Sequence, residues 1–158
     1  MECNEFRTEY EKWWNRGPVN NEYPAEHSAW FRHRRECSAC ADWSKRRYCE
    51  YRSIHPDQHC CLEMAYTIAH PIEIQHQGPN RVLDWVRSWN EYWIPVSYDG
   101  YSSTVIRFCP WCGAGLPESK QKLWYETLRG LGVDPADDEI PSKFQTDEWW
   151  RSLPSNSE

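Results

Sequence analysis

The segment Cys109-Pro110-Trp111-Cys112-Gly113 constrains this chain more than any other feature. Two thiolates three residues apart converge on one tetrahedral metal ion. A glycine directly after the second cysteine supplies the positive φ that turns the chain back and aims backbone N–H groups at sulfur. Thr104, Ile106 and Phe108 share one face of the strand that leads into the motif. A C-x-x-C-G segment after a strand has the outline of a zinc knuckle, which supplies two ligands and needs two more. Cys60 and Cys61 are the nearest candidates. At the first turn of a helix, neighbouring residues point about 100° apart, both can reach one metal, and the positive helix end favours thiolates. The alternative is that one of the pair ligates and the other is a small core residue.

Cys-Pro-Trp-Cys also resembles the redox pair of glutaredoxins. That chemistry needs a helix beginning at the first cysteine inside a βαβ setting. Here Gly113, Gly115 and Pro117 interrupt any such helix. Thiol redox chemistry at Cys109 and Cys112 is therefore the weaker alternative. Mean hydropathy is −0.93, and no apolar run approaches the roughly 18 residues of a membrane span. The start, Met1-Glu2-Cys3-Asn4-Glu5, is acidic without an apolar core, so a secretory signal is not expected and a cytoplasmic location is. Eight cysteines in that setting point to metal rather than disulfides.

A second metal site is expected within residues 37–59. Cys37-x2-Cys40-x14-His55-x3-His59 fits the broad Cys2His2 spacing. Pro56 directly after His55 prevents a continuous histidine-bearing helix, and Cys49 is an equally good ligand. Cys37, Cys40 and Cys49 with one histidine is thus an equal alternative, as is a set of core thiols with solvent-facing histidines. A third arrangement pairs Cys37 and Cys40 with Cys109 and Cys112 as a two-knuckle ribbon. Cys3 is expected to be free. The expected cofactor is Zn2+, one or two ions per chain.

The rest of the chain reads as short elements. Phe6, Tyr10, Trp13 and Trp14 fall on one face of a helix over residues 5–16, which Gly17-Pro18 stops. A polar linker covers residues 17–24, and a second helix after Pro24 carries His27, Trp30, Phe31 and Arg34 on one side. Residues 37–59 show little apolar periodicity and read as a segment that metal holds in shape. A short helix is expected over 60–69, a short strand at Ile72 and Ile74, and a turn at Gln77–Asn80. Strands follow at about 81–87, 92–97 and 103–108, the last two joined through Tyr98-Asp99-Gly100. A helix near 118–129, capped by Ser119, is expected to bury Leu123, Thr127, Leu128 and Leu131. The acidic tail carries two helical hints, Pro141–Phe144 and Asp147–Arg151 after a Thr146 cap. The fold class is α+β: a small antiparallel sheet with a zinc-knuckle, zinc-ribbon-like site and several short helices. Residues 1–58 read as a helical extension with a Cys/His-rich basic segment, and 59–158 as the zinc-binding domain.

Cys60-Cys61-Leu-Glu-Met-Ala, then Cys109-Pro-Trp-Cys-Gly, Leu116-Pro-Glu-Ser, Trp124, Leu128, Gly132, Ile140-Pro and Asp147-Glu-Trp-Trp follow in an order that resembles a family of small bacterial and phage proteins of unknown function. The resemblance covers about residues 59–151. It implies a compact α+β domain with a Cys-Cys plus Cys-x-x-Cys metal site, and brings no activity, substrate or catalytic residue with it.

Function classes narrow accordingly. H-E-x-x-H, H-x-E and P-loop patterns are missing, and Gly113-x-Gly115 lacks a third glycine, so no catalytic residue is assigned and a non-catalytic role is expected. The net charge is −6, yet residues 32–52 hold seven Arg/Lys against three acids. Arg32, Arg34, Arg35, Lys45, Arg46, Arg47 and Arg52, with Trp43, Tyr48 and Tyr51 among them, are candidate nucleic-acid contacts. The plainer alternative is a solvated face that balances the acidic remainder. Trp149-Trp150 in the tail either docks a partner or packs on the domain. The expected role is a binding or regulatory module with a protein partner, and the family resemblance adds an expected phage or mobile-element origin.

Overall fold

Phe6 and Tyr10 are one helical turn apart, and in the computed structural model both lie on the buried face of α1 (Cys3–Asn15). The structure describes residues 1–15, 27–70, 72–73, 79–80, 82–96 and 102–153. The chain divides into two units, Met1–Ala69 and His70–Glu158. Among the described residues there are six α-helices and one three-stranded antiparallel sheet, an α+β chain. Among the described residues no helix is long and apolar enough to cross a membrane. The expected linker 17–24, Gly17-Pro18, Ile74, the Gln77-Gly78 turn and the Tyr98–Gly100 connection lie outside the described residues.

The first unit is helical. After α1 come α2 (His27–Glu36), α3 (Ser38–Tyr51), a 3-10 turn (Pro56–Gln58) and α4 (Leu62–Ala69). Phe6 is fully buried and meets the rings of His33, Trp43 and Trp30 at 5.1, 6.2 and 6.4 Å. Tyr10 and Cys40 complete this cluster, with Trp13, Trp14 and Cys37 packed around it. Burial raises the Tyr10 hydroxyl above its ordinary pKa. Cys49 and Ile54 pack with Ala65 and Ala69 of α4.

The main departure from expectation is α3, which makes a continuous helix of much of residues 37–59. Cys40, Trp43, Ser44 and Tyr48 follow helical spacing, but cysteine, serine and large aromatics form the inner face, so the apolar pattern is faint. Cys37 interrupts the backbone between α2 and α3 with φ −123° and ψ 99°. At the other end Ser53 adopts φ 55°, and the Ile54 N–H reaches back to Cys49 O at 2.9 Å, closing the helix in Schellman fashion.

In the second unit, β1 (Ile72–Glu73) pairs antiparallel with β2 (Pro79–Asn80). β3 (Asp84–Val86), β4 (Glu91–Pro95) and β5 (Ser103–Val105) form the sheet with β4 central, in the register Trp85↔Tyr92 and Ile94↔Thr104. Asn90, at φ 55°, makes the turn between β3 and β4, a conformation asparagine tolerates. α5 (Gln121–Gly130) buries Trp124 and Leu128, whereas Leu123 and Leu131 are exposed. The helix is rotated from the expected stripe because the large Trp124 ring takes the inner face and donates Nε1–H to Phe144 O at 2.8 Å. Ser119 Oγ accepts the Gln121 N–H at 3.0 Å, at the expected start of this helix.

The tail forms a 3-10 turn (Ser142–Gln145) and α6 (Glu148–Arg151), and it packs rather than trailing. Trp149 Nε1–H bonds to Ser88 O and Trp150 Nε1–H to Arg87 O, each at 2.8 Å. Phe144 and Trp149 join Trp124 and Leu128 in one core. Glu91 is buried beside it, accepting the Trp93 Nε1–H at 2.8 Å and the Ser119 hydroxyl.

Two substitutions test these cores by urea unfolding. Phe6→Ala should cost about 3–5 kcal/mol, the range for emptying a buried aromatic site. Glu91→Ala should cost about 1–3 kcal/mol, because two hydrogen bonds to a buried carboxylate are lost.

Candidate metal centres

Cys3, His33, Cys37 and Cys40 come together because three helices converge on Phe6. Cys3 opens α1 one turn before Phe6. His33 is one turn after Trp30 on α2, with its ring against Phe6. Cys37 is the joint before α3, and Cys40 lies fully buried in the first turn of α3. Their four ligand atoms lie within 4.8 Å of one another. Cys3 Sγ and Cys37 Sγ are 3.7 Å apart, far beyond the roughly 2.05 Å of a disulfide. None of the eight cysteines is in a disulfide. His33 Nε2 is buried and has no hydrogen-bond partner among the described residues.

The sulfurs of this group sit in unlike electrostatic surroundings. The backbone N–H of Cys40 is directed at the Cys37 sulfur, and this, with help from Cys3, holds the Cys37 thiol below its ordinary pKa. Burial, reinforced by hydrogen bonds with Cys3 and Cys37, pushes Cys40 up to about 11, with Arg7 acting in the opposite direction. One thiolate forms easily and discourages the next. A divalent cation among them would reverse that preference.

Cys60 and Cys61 directly precede α4, and Cys61 O accepts the Ala65 N–H at 3.2 Å, so the pair stands at the positive end of the helix. Cys109 and Cys112 sit on a chain reversal. The Gly113 N–H bonds to Cys109 O and the Cys109 N–H to Ala114 O, both at 2.9 Å, and Phe108 bridges Gly115. Gly113 has φ +72°, which would cost a residue with a side chain roughly 1–2 kcal/mol. No helix begins at Cys109; α5 starts only at Gln121.

Among the described residues of the first unit, Cys3, His33, Cys37 and Cys40 are therefore suited to hold a metal ion. Cys60 and Cys61 stand together at the start of α4, and Cys109 and Cys112 share one chain reversal in the second unit. Cys49, His55 and His59 join none of these. Cys49 is fully buried against Ile54 and Ala65, and burial pushes its thiol up to about 11. His55 is exposed at the N-cap of the 3-10 turn that Pro56 starts, and His59 is buried. Cys3, expected to be free, joins Cys37, and His33 was not expected as a ligand. The readable signals were Cys3 one turn before Phe6, and the spacing His33-x3-Cys37-x2-Cys40.

Much of the basic segment is neutralised locally. Arg47 grips Glu11 through Nε at 2.6 Å and Nη2 at 2.9 Å, and also meets Glu50. Lys45 pairs with Glu63, and Arg46 with Asp57 at 3.5 Å. Arg32, Arg35 and Arg52 are exposed and Arg34 is half-buried. Trp43 and Tyr48 pack on the cores of the first unit rather than standing clear as stacking platforms. A depression of about 470 Å³ near the end of α5 is lined by Tyr125, Arg129 and Val133–Ala136 and holds no nucleophile–base pair.

A family model described as a domain of unknown function (DUF6980) matches residues 58–152. The chain belongs to this family. The DUF6980 match agrees with the expected span of about 59–151 and includes Cys60, Cys61, Cys109 and Cys112. Cys3, His33, Cys37 and Cys40 precede it. Comparison with curated proteins and with solved structures found no match.

The Cys49 thiol generates a prediction for alkaline pH. Its folded pKa of about 11 lies above the ordinary 9.0, so the stability it contributes is complete below about pH 9 and is lost as pH rises through 11. Tyr10, also raised, acts in the same sense. Unfolding free energy should decline from pH 9 to 11 in the native chain, and less steeply in Cys49→Ala, when both are followed by denaturant titration.

Proposed function

We propose that the protein is a non-catalytic binding or regulatory module whose DUF6980 domain is held in shape by one structural zinc ion on Cys60, Cys61, Cys109 and Cys112. What supports the reading is the donor type found in each unit: two thiols on a glycine-closed knuckle in one, and two at a helix N-terminus in the other. Four thiolates complete a tetrahedral shell and leave no position for water or substrate, which is the pattern of structural rather than catalytic zinc. Soft sulfur ligands select zinc over magnesium or calcium. Cysteines kept out of disulfides suit a reducing compartment, which fits a cytoplasmic protein. The resemblance to bacterial and phage proteins supports an origin in a phage or other mobile element.

The binding role draws on side chains near the knuckle. Val105, Phe108 and Trp111 are exposed, Phe108 to 67%. Large exposed apolar residues mark interaction surfaces. A protein partner is favoured over nucleic acid because Lys45, Arg46 and Arg47 already have carboxylate partners.

The test is metal analysis of the full chain purified without added zinc or chelator, with near-ultraviolet circular dichroism before and after chelation. Zinc should be present, Cys109→Ser and Cys112→Ser should each lower it by one ion per chain, and chelation should abolish the tertiary signal. A folded, metal-free protein would overturn the reading. A folded Cys109→Ser variant that has lost a thiol–disulfide exchange activity would return the pair to redox chemistry.

A further inference from the structure

Four cysteines, Cys3, Cys37, Cys40 and Cys49, precede the DUF6980 match, and the first three stand together with His33. We infer that Cys3, His33, Cys37 and Cys40 form a second zinc site, independent of the family domain, with three sulfur ligands and one imidazole nitrogen. Three observations carry this inference, none of which depends on the four-cysteine centre.

The first is convergence. The ligands come from α1, α2, the α2–α3 joint and α3, yet their donor atoms lie within 4.8 Å of one another. Tetrahedral zinc with bonds of about 2.0–2.3 Å requires donors spaced about 3.3–3.8 Å apart, and the Cys3–Cys37 sulfur distance of 3.7 Å already meets that requirement. The second is His33 Nε2, a buried nitrogen with no hydrogen-bond partner among the described residues. Buried polar atoms in native proteins are nearly always satisfied, and a metal ion is one recognised way to satisfy them. The third is second-shell chemistry. The Cys40 N–H is directed at the Cys37 sulfur, as in a metal knuckle, and Arg7 lies beside Cys40. Zn2+ with three thiolates and a neutral imidazole carries a net charge of −1, and the Arg7 guanidinium supplies the compensating charge.

An ordinary core thiol cluster explains less. Cys49 is such a thiol, and it packs among aliphatic and aromatic side chains with no second sulfur in its cluster. In the proposed site, loading converts three thiols to thiolates, forms three Zn–S bonds and one Zn–N bond, and releases three protons to solvent. The ion fastens α1 to α2 and α3 at the point where Phe6 is buried.

The experiment uses the full chain. Native mass spectrometry of the wild type should show two zinc ions. Cys37→Ser should lose one ion and keep the one that Cys109→Ser loses, and the double variant should hold none. The conservative variant His33→Cys should keep its ion and, with cobalt substituted, move that site's spectrum towards the four-sulfur type. Because Cys37→Ser may fail to fold, iodoacetamide labelling of the wild type provides a second readout. Cys3 and Cys37 should be at least tenfold slower to label before chelation than after it. Equal labelling rates with and without chelator, or an unchanged zinc count in Cys37→Ser, would overturn the inference. Loss of zinc only at Cys37, or only at Cys109, shows which of the two sites fails, so this inference and the proposed function are judged separately.

Discussion

Cys3, Cys37 and Cys40 bring their sulfurs together beside His33, and none of the eight cysteines forms a disulfide. Burial first, and the neighbouring Cys3 and Cys37 second, hold the Cys40 thiol in its neutral form, and the chain gathers these sulfurs nonetheless. A soft dication would resolve the conflict, because metal–thiolate bonding would offset the cost of burying charge beside other sulfurs. The positions of Cys3, Cys37 and Cys40 follow from this constraint, and with them the way α1 meets the joint between α2 and α3. Metal binding to such sites is also folding energy, since the unfolded chain has no preformed shell.

Aromatic residues supply much of the remaining order. In the first unit, Phe6 and Tyr10 are enclosed by Trp30 and Trp43, with Trp13 and Trp14 around them. In the second, Trp124, Trp149 and Trp150 each give an indole N–H to a backbone carbonyl, so each ring both fills volume and fixes a segment. The acidic tail is thereby joined to the β3–β4 turn. Metal sites and Trp-rich cores are two answers to one problem, since short helices and a three-stranded sheet bury little aliphatic surface.

The amphipathic face of α1, the helix after Cys61, the three central strands and the Cys109–Gly113 reversal were legible because each depends on local periodicity or on one glycine. The helical nature of α3 was hidden because its inner face uses Cys40, Ser44 and aromatic rings instead of aliphatics. The α5 face was misjudged because leucine count pointed one way and Trp124 burial the other. Cys3 and His33 were hidden for a tertiary reason. No local spacing ties Cys3 to Cys37, 34 residues away; only the packing of Phe6 against α2 and α3 brings them together. Cys49 has a ligand's identity and lies between Cys40 and His55 in sequence, but its side chain faces the α4 packing surface.

The measurement that tests the central claim most directly is zinc K-edge X-ray absorption on the full chain as purified. Averaged over a four-sulfur site and a three-sulfur, one-nitrogen site, the account predicts a first shell dominated by sulfur at about 2.3 Å, with a minor nitrogen component near 2.0–2.1 Å. A shell composed mainly of nitrogen and oxygen, or a folded protein without zinc, would contradict it.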